Sequence, residues 1–168
     1  MSETRDLAQE ANELCEKALN DAKEKLHPLS RSVDVNRLDK RSEFLQAFRS
    51  ALEQRIAKKL AAWQPAVQSV FRFDNLHAIH DAAWDGKIHL LVKVPRSSNT
   101  VKIIGERLDQ YLLRHFKQSG WLRFQRQQSM LEVQQVTINE LRHGVSYGAM
   151  FHAVYSVPVK VWPLKKTK

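Results

Sequence analysis

The chain has 168 residues, 27 Lys+Arg against 18 Asp+Glu, and a formal net charge of +9. That length supports one domain with an appendage and a sizeable buried core. A hydrophobic content of 43% with four Trp excludes a disordered tail, and a single cysteine, Cys15, excludes an internal disulfide framework. The charge is unevenly placed: residues 1–40 hold 7 basic and 9 acidic side chains, net −2, and residues 41–168 hold 20 and 9, net +11. A basic body behind an acidic arm points to an anionic partner, most simply nucleic acid.

In chain order, residues 4–26 read as an amphipathic helix. Leu7, Ala11, Leu14, Ala18 and Ala22 recur at helical spacing, and Pro28 stops the helix by restricting His27. Its stripe is thin and rich in alanine, so the helix needs a surface to pack on. A linker over residues 28–36 leads to a second helix starting near Asp39 or Ser42 and running to Trp63. Its stripe is Leu45, Phe48, Leu52, Ile56, Leu60 and Trp63, and Arg55, Lys58 and Lys59 crowd its end, where the helix dipole favours cations. The two helices are expected to form an antiparallel hairpin.

After Pro65 the period changes from 3.6 to 2. Val67–Phe73 reads as a strand. Asp85–Gly86 signals a tight turn, and Ile88, Leu90, Val92 and Val94 alternate onto one face of the next strand. A third helix is expected over residues 100–117, with Val101, Ile104, Leu108, Tyr111 and Leu112 inward and Gly120 supplying the left-handed turn beyond it. Further strands are expected over 121–127, 131–141 and 150–162. Pro158 places the last at an edge or a bulge.

These elements make an α+β fold: an N-terminal helical hairpin, then a mainly antiparallel sheet covered by one central helix. The organisation reads as a hairpin region over residues 1–64 (arm 1–27), a basic sheet domain over 65–163, and a basic tail over 164–168. If the strands flanking the third helix are parallel, their crossover must be right-handed.

Motifs that promise catalysis or metal binding are weak. Gly144–Gly148 matches the G-x-S-x-G pattern of a nucleophile elbow. No Asp or Glu follows Ser146, however, so the chain order serine, acid, histidine is impossible. Two glycines around a short polar run also suit a loop. His77 and His80, near Asp81, Asp85 and His89, sit between strand signals, where residues three apart face opposite ways; they read as loop histidines, and no metal is expected. His115 falls on the apolar face of the third helix and reads as a hydrogen-bonded core histidine. Cys15 reads as buried, not nucleophilic. The chain lacks a phosphate-binding glycine loop and a C-x-x-C pair. No cofactor and no catalytic residue is expected.

The basic surface remains. Arg107, Arg114 and Lys117 fall opposite Leu108 on the third helix, and Trp121, Arg123 and Arg126 follow Gly120. Cations interleaved with aromatic rings suit single-stranded nucleic acid, guanidinium groups pairing with phosphates while bases stack. These six residues are the expected nucleic-acid site of a non-enzymatic accessory protein that binds RNA, DNA or a ribonucleoprotein. The alternative is an oligomerising scaffold or adaptor that binds an acidic protein or its own copy through Leu7, Leu14 and Ala18 of the first helix. The polar N-terminus and the absence of a long apolar run predict no signal peptide, no membrane partner and a cytoplasmic location.

Overall fold

The computed structural model describes residues 2–26, 42–73, 87–120, 125–154 and 157–164. The elements are α1 (Ser2–Leu26), α2 (Ser42–Trp63), β1 (Ser69–Arg72), β2 (Ile88–Val94), α3 (Asn99–Gln118), β3 (Leu131–Thr137), α4 (Ile138–His143), a 3-10 helix (Ser146–His152) and β4 (Val159–Trp162). The four strands form one sheet in the order β3-β2-β1-β4. The fold is α+β, as the periodicity predicts. β1 pairs antiparallel with both β2 and β4, whereas β2 and β3 run parallel, joined through α3. β4 is an edge strand just after Pro158, and its ladder with β1 slips by one residue between Val70 and Phe71. The edge position is the one a neighbouring proline allows; the slip lies at Val161, away from Pro158.

One face of the sheet carries the main core. Ile88, Leu90, Val92 and Val94 join Val70 and Leu131 beneath the helices. α2 packs on β1, β2 and β4, while α3 packs on β3. The sheet is therefore covered by two helices, not by α3 alone as the sequence suggests. α1 rests on both of them without extensive contact to the sheet. Its small buried residues, Ala11, Cys15, Ala18 and Ala22, let it settle closely against α2 and α3. Buried side chains of all three helices and all four strands belong to one continuous cluster.

α2 is buried on more than one side. Phe44, Leu45, Ala47, Phe48, Leu52, Ile56, Ala57 and Leu60 are all buried, a wider apolar arc than the single stripe in the sequence reading. Phe48 stacks with Phe44 and meets Phe116 of α3 edge to face at 5.7 Å. Arg55 and Lys59 serve α1 instead of the helix terminus. Arg55 binds the Asp21 carboxylate at 2.6 and 2.8 Å, and Lys59 binds Glu10 at 2.7 Å. The Asp21 hydrogen bonds raise the Arg55 pKa. The two helices pack together as expected, and the ion pairs between them are a feature the sequence reading does not anticipate.

Two expectations fail, and a third fails only in its described part. The strand expected over 131–141 stops at Thr137, because Thr137 and Glu140 form a capping box. Thr137 Oγ1 accepts the Glu140 amide at 3.2 Å, and the Glu140 carboxylate accepts the Thr137 amide at 2.7 Å, which starts α4. The strand expected over 150–162 is only Val159–Trp162, preceded by the 3-10 helix. Within 121–127, residues 125–126 form a turn, and residues 121–124 lie outside those described. The linker, the Asp85–Gly86 turn, the pair His77 and His80 with Asp81, and residues 165–168 of the tail also lie outside them.

Glu53 is 1% exposed and joins α2 to the sheet. Its carboxylate lies 2.7 Å from Arg49 Nε and 3.7 Å from Arg72 Nη1 of β1. Removing it takes a buried anion away from the two guanidinium groups that contact it. Glu53→Ala is expected to cost roughly 2–4 kcal/mol of unfolding free energy, somewhat under a fully buried pair because Arg72 is partly solvated. Denaturant unfolding checks it: the midpoint should fall with an unchanged slope.

Candidate nucleic-acid interface

α3 presents two unlike faces. Val101, Gly105, Leu108, Leu112 and Phe116 are buried and recur at steps of three or four. Gly105 permits the close seat on the sheet, since a Cβ there would lie 2.9 Å from Val133 Cβ. On the outer side Arg107, Arg114 and Lys117 are exposed. The Arg114 guanidinium lies 5.7 Å from the Tyr111 ring, one turn back, which steadies it without neutralising it. Gly120 has φ +72°, the left-handed turn anticipated beyond the helix. Gln125 Nε2 then donates to the Lys117 carbonyl at 3.2 Å, bringing the returning chain beside the end of α3, and the next residue, Arg126, is exposed. Arg107, Arg114, Lys117 and Arg126 make no ion pair with a described residue. The structure thus places four of the six expected residues on α3 and the turn beside its end. Trp121 and Arg123 lie outside the described residues.

The acidic arm does not lie on this basic face. Its Glu10 and Asp21 are engaged by Lys59 and Arg55 of α2, and Glu13 pairs with Lys17 of its own helix at 3.1 Å. Leu14 and Ala18 are buried in the chain's own core, and Leu7 is half-buried beside Arg107. α1 is a structural layer here, so the Leu7, Leu14 and Ala18 stripe is already occupied. Cys15 is 2% exposed, and burial pushes its thiol pKa far above the ordinary range. His115 Nδ1 lies 2.9 Å from Asn12 Oδ1, so it is hydrogen-bonded as the sequence suggests, but it is half-buried at the edge of the α1–α3 contact and not in the core.

The Gly144–Gly148 motif is not an elbow. Gly144, at φ +63°, caps α4, and Gly148 is pressed against the Glu140 carbonyl so closely that no Cβ would fit. Ser146 opens a 3-10 helix packed beside α4. Both glycines are there for backbone packing.

Sequence reasoning missed a polar cluster on the opposite face of the sheet. Glu132 receives Gln134 Nε2 at 2.9 Å, and lies 3.0 Å from Lys87 Nζ and 3.2 Å from His89 Nδ1. His89 of β2 is directly across from Glu132 in the parallel register, and Lys87 lies just before the strand. Gln134 first, then Lys87, hold the Glu132 carboxyl below its usual range. It is a fixed anion, with its pKa moved away from what a general acid at neutral pH needs. With Tyr147, whose hydroxyl pKa burial raises, it lines a cleft of about 800 Å³ between α3, β3 and the 3-10 helix. Among the described residues, no group of three or more His, Cys, Asp or Glu side chains is placed to hold a metal ion, and no helix is long and apolar enough to cross a membrane.

Compared with known proteins, the chain matches no family model, no curated protein and no solved structure.

His115 gives a pH test of this packing. Burial lowers its pKa from the ordinary 6.5, against a smaller opposing effect of Glu16. The folded state therefore favours neutral imidazole. Its stabilising contribution is complete above the unfolded value and is lost as pH falls through the folded one. Unfolding free energy should therefore decline as pH falls below the ordinary 6.5. His115→Gln should flatten that decline, as followed by denaturant melts at each pH.

Proposed function

We propose that this chain is a non-enzymatic accessory binding protein whose anionic partner is nucleic acid or a ribonucleoprotein, met in the cytoplasm along the outer face of α3. The observation that carries this reading is a division of charge. The arm's Glu10 and Asp21 are taken up by α2, whereas Arg107, Arg114, Lys117 and Arg126 stand exposed without ion pairs to any described residue. Arg107 and Arg114 are two helical turns apart, about 10 Å along the axis, which spaces them as separate phosphate contacts. Trp121 and Arg123 follow directly in sequence and supply a ring for base stacking and a further cation.

The adaptor reading needs the stripe of Leu7, Leu14 and Ala18 to be free. Docking it elsewhere would pull α1 out of the core and break two ion pairs, so the nucleic-acid reading stands first.

Fluorescence anisotropy with a short single-stranded RNA over a salt series tests the proposal. Four neutralised phosphates should give a slope of log K against log salt of about −3. Arg114→Glu should weaken binding to every sequence alike and flatten the slope, because it removes a phosphate contact and not a base contact. Trp121→Ala should weaken binding with little change of slope. A slope near zero, or an Arg114→Glu variant that binds as wild type, would overturn the assignment.

A further inference from the structure

The free edge of β3 opens into the 800 Å³ cleft. The Ile88 amide donates to the Met130 carbonyl at 2.8 Å, and the ladder then runs in register from Ile88–Leu131 to Val94–Thr137. In a parallel ladder alternate residues send both backbone groups to the same neighbour. Glu132, Gln134 and Val136 therefore face β2, while Leu131, Val133, Gln135 and Thr137 face the open edge. Two carboxylates close its ends. Asp109 of α3 accepts the Leu131 amide at 2.7 Å, and Glu140 accepts the Thr137 amide at 2.7 Å. Between these ends the N–H and C=O groups of Val133 and Gln135 have no partner among the described residues. Four backbone groups thus remain open on a strand edge, a state that proteins ordinarily cover or block.

The geometry points to this edge as a docking site for an extended basic peptide segment of a partner protein, added to the sheet as a fifth strand. The walls admit a single strand and reject a second copy of the sheet. α3 sits directly over β3, as the Gly105–Val133 contact requires. A twofold copy paired at the usual strand spacing of about 4.8 Å would bring its own α3 closer than the 8–10 Å that packed helices need. The walls also set the charge of the occupant. Two lysines, Lys87 and Lys102, face four carboxylates, and Asp109 and Glu140 have no cationic partner among the described residues. In a chain of net charge +9 this cleft is locally negative. Leu131 to Thr137 spans about 20 Å, so the segment is about seven residues long with a basic side chain near each end.

The test uses the full ¹⁵N-labelled chain and three blocked seven-residue peptides of alternating Thr and Val. One carries Lys at both ends. The second carries Glu there, and the third repeats the Lys-ended sequence with every central amide N-methylated. The Lys-ended peptide should shift the Val133 and Gln135 amides. Losing the peptide's donors, or reversing its end charges, should weaken binding by about tenfold. Arg114→Glu should leave this binding unchanged, which separates it from the nucleic-acid site. The inference is overturned by equal binding of the N-methylated or Glu-ended peptide, or by the absence of shifts at Val133 and Gln135 up to millimolar peptide. A sedimenting dimer in which those amides are already protected would equally overturn it, since a second copy would then hold the edge.

Discussion

The structure depends on the burial of α2 between α1 and the sheet. A helix covered on two sides must be apolar over a wide arc, and α2 is, from Phe44 to Leu60. The few polar groups it carries into that environment must be matched. Glu53 is held by Arg49 and Arg72, and Arg55 and Lys59 reach out to Asp21 and Glu10. Those pairs orient the two layers that the apolar contacts hold together. They also give two of the acids of α1, Glu10 and Asp21, cationic partners on α2 beneath it.

That matching shapes the exterior. With the arm's Glu10 and Asp21 engaged by α2, the cations on the outer side of α3 keep their charge and exposure. The inner side of the same helix is bound to the sheet by Gly105, Leu108 and Phe116, and its flank supplies Asp109 to the end of the β3 edge. α3 therefore borders two surfaces of opposite sign. One has the chemistry for phosphates, the other for a basic extended segment.

Much of this was legible in the sequence, and the rest was hidden for physical reasons. Helix periodicity located α1, α2 and α3 to within a few residues, and alternation at Ile88–Val94 identified the central strand and its core face. Gly120 marked its left-handed turn. The strand expected to continue beyond Thr137 was a misreading of a visible signal, since Thr137 and Glu140 stand three apart as a capping box does. The 3-10 helix at Ser146–His152 gave less warning. Its Gly148 presses on the Glu140 carbonyl, a contact that composition cannot show. Neither the Glu132 cluster nor the open edge at Val133 and Gln135 was foreseeable. Both follow from pairing β2 in parallel with a strand some forty residues away.

The most direct measurement is a ¹H–¹⁵N correlation spectrum of the full chain titrated with a short single-stranded RNA at low salt. The result expected is a contiguous set of shifts at Arg107, Arg114, Lys117 and the segment from Gly120 to Arg126, with Val133 and Gln135 unmoved. Shifts centred on the cleft, spread thinly over all lysines and arginines, or missing altogether would contradict the assignment of α3 as the nucleic-acid surface.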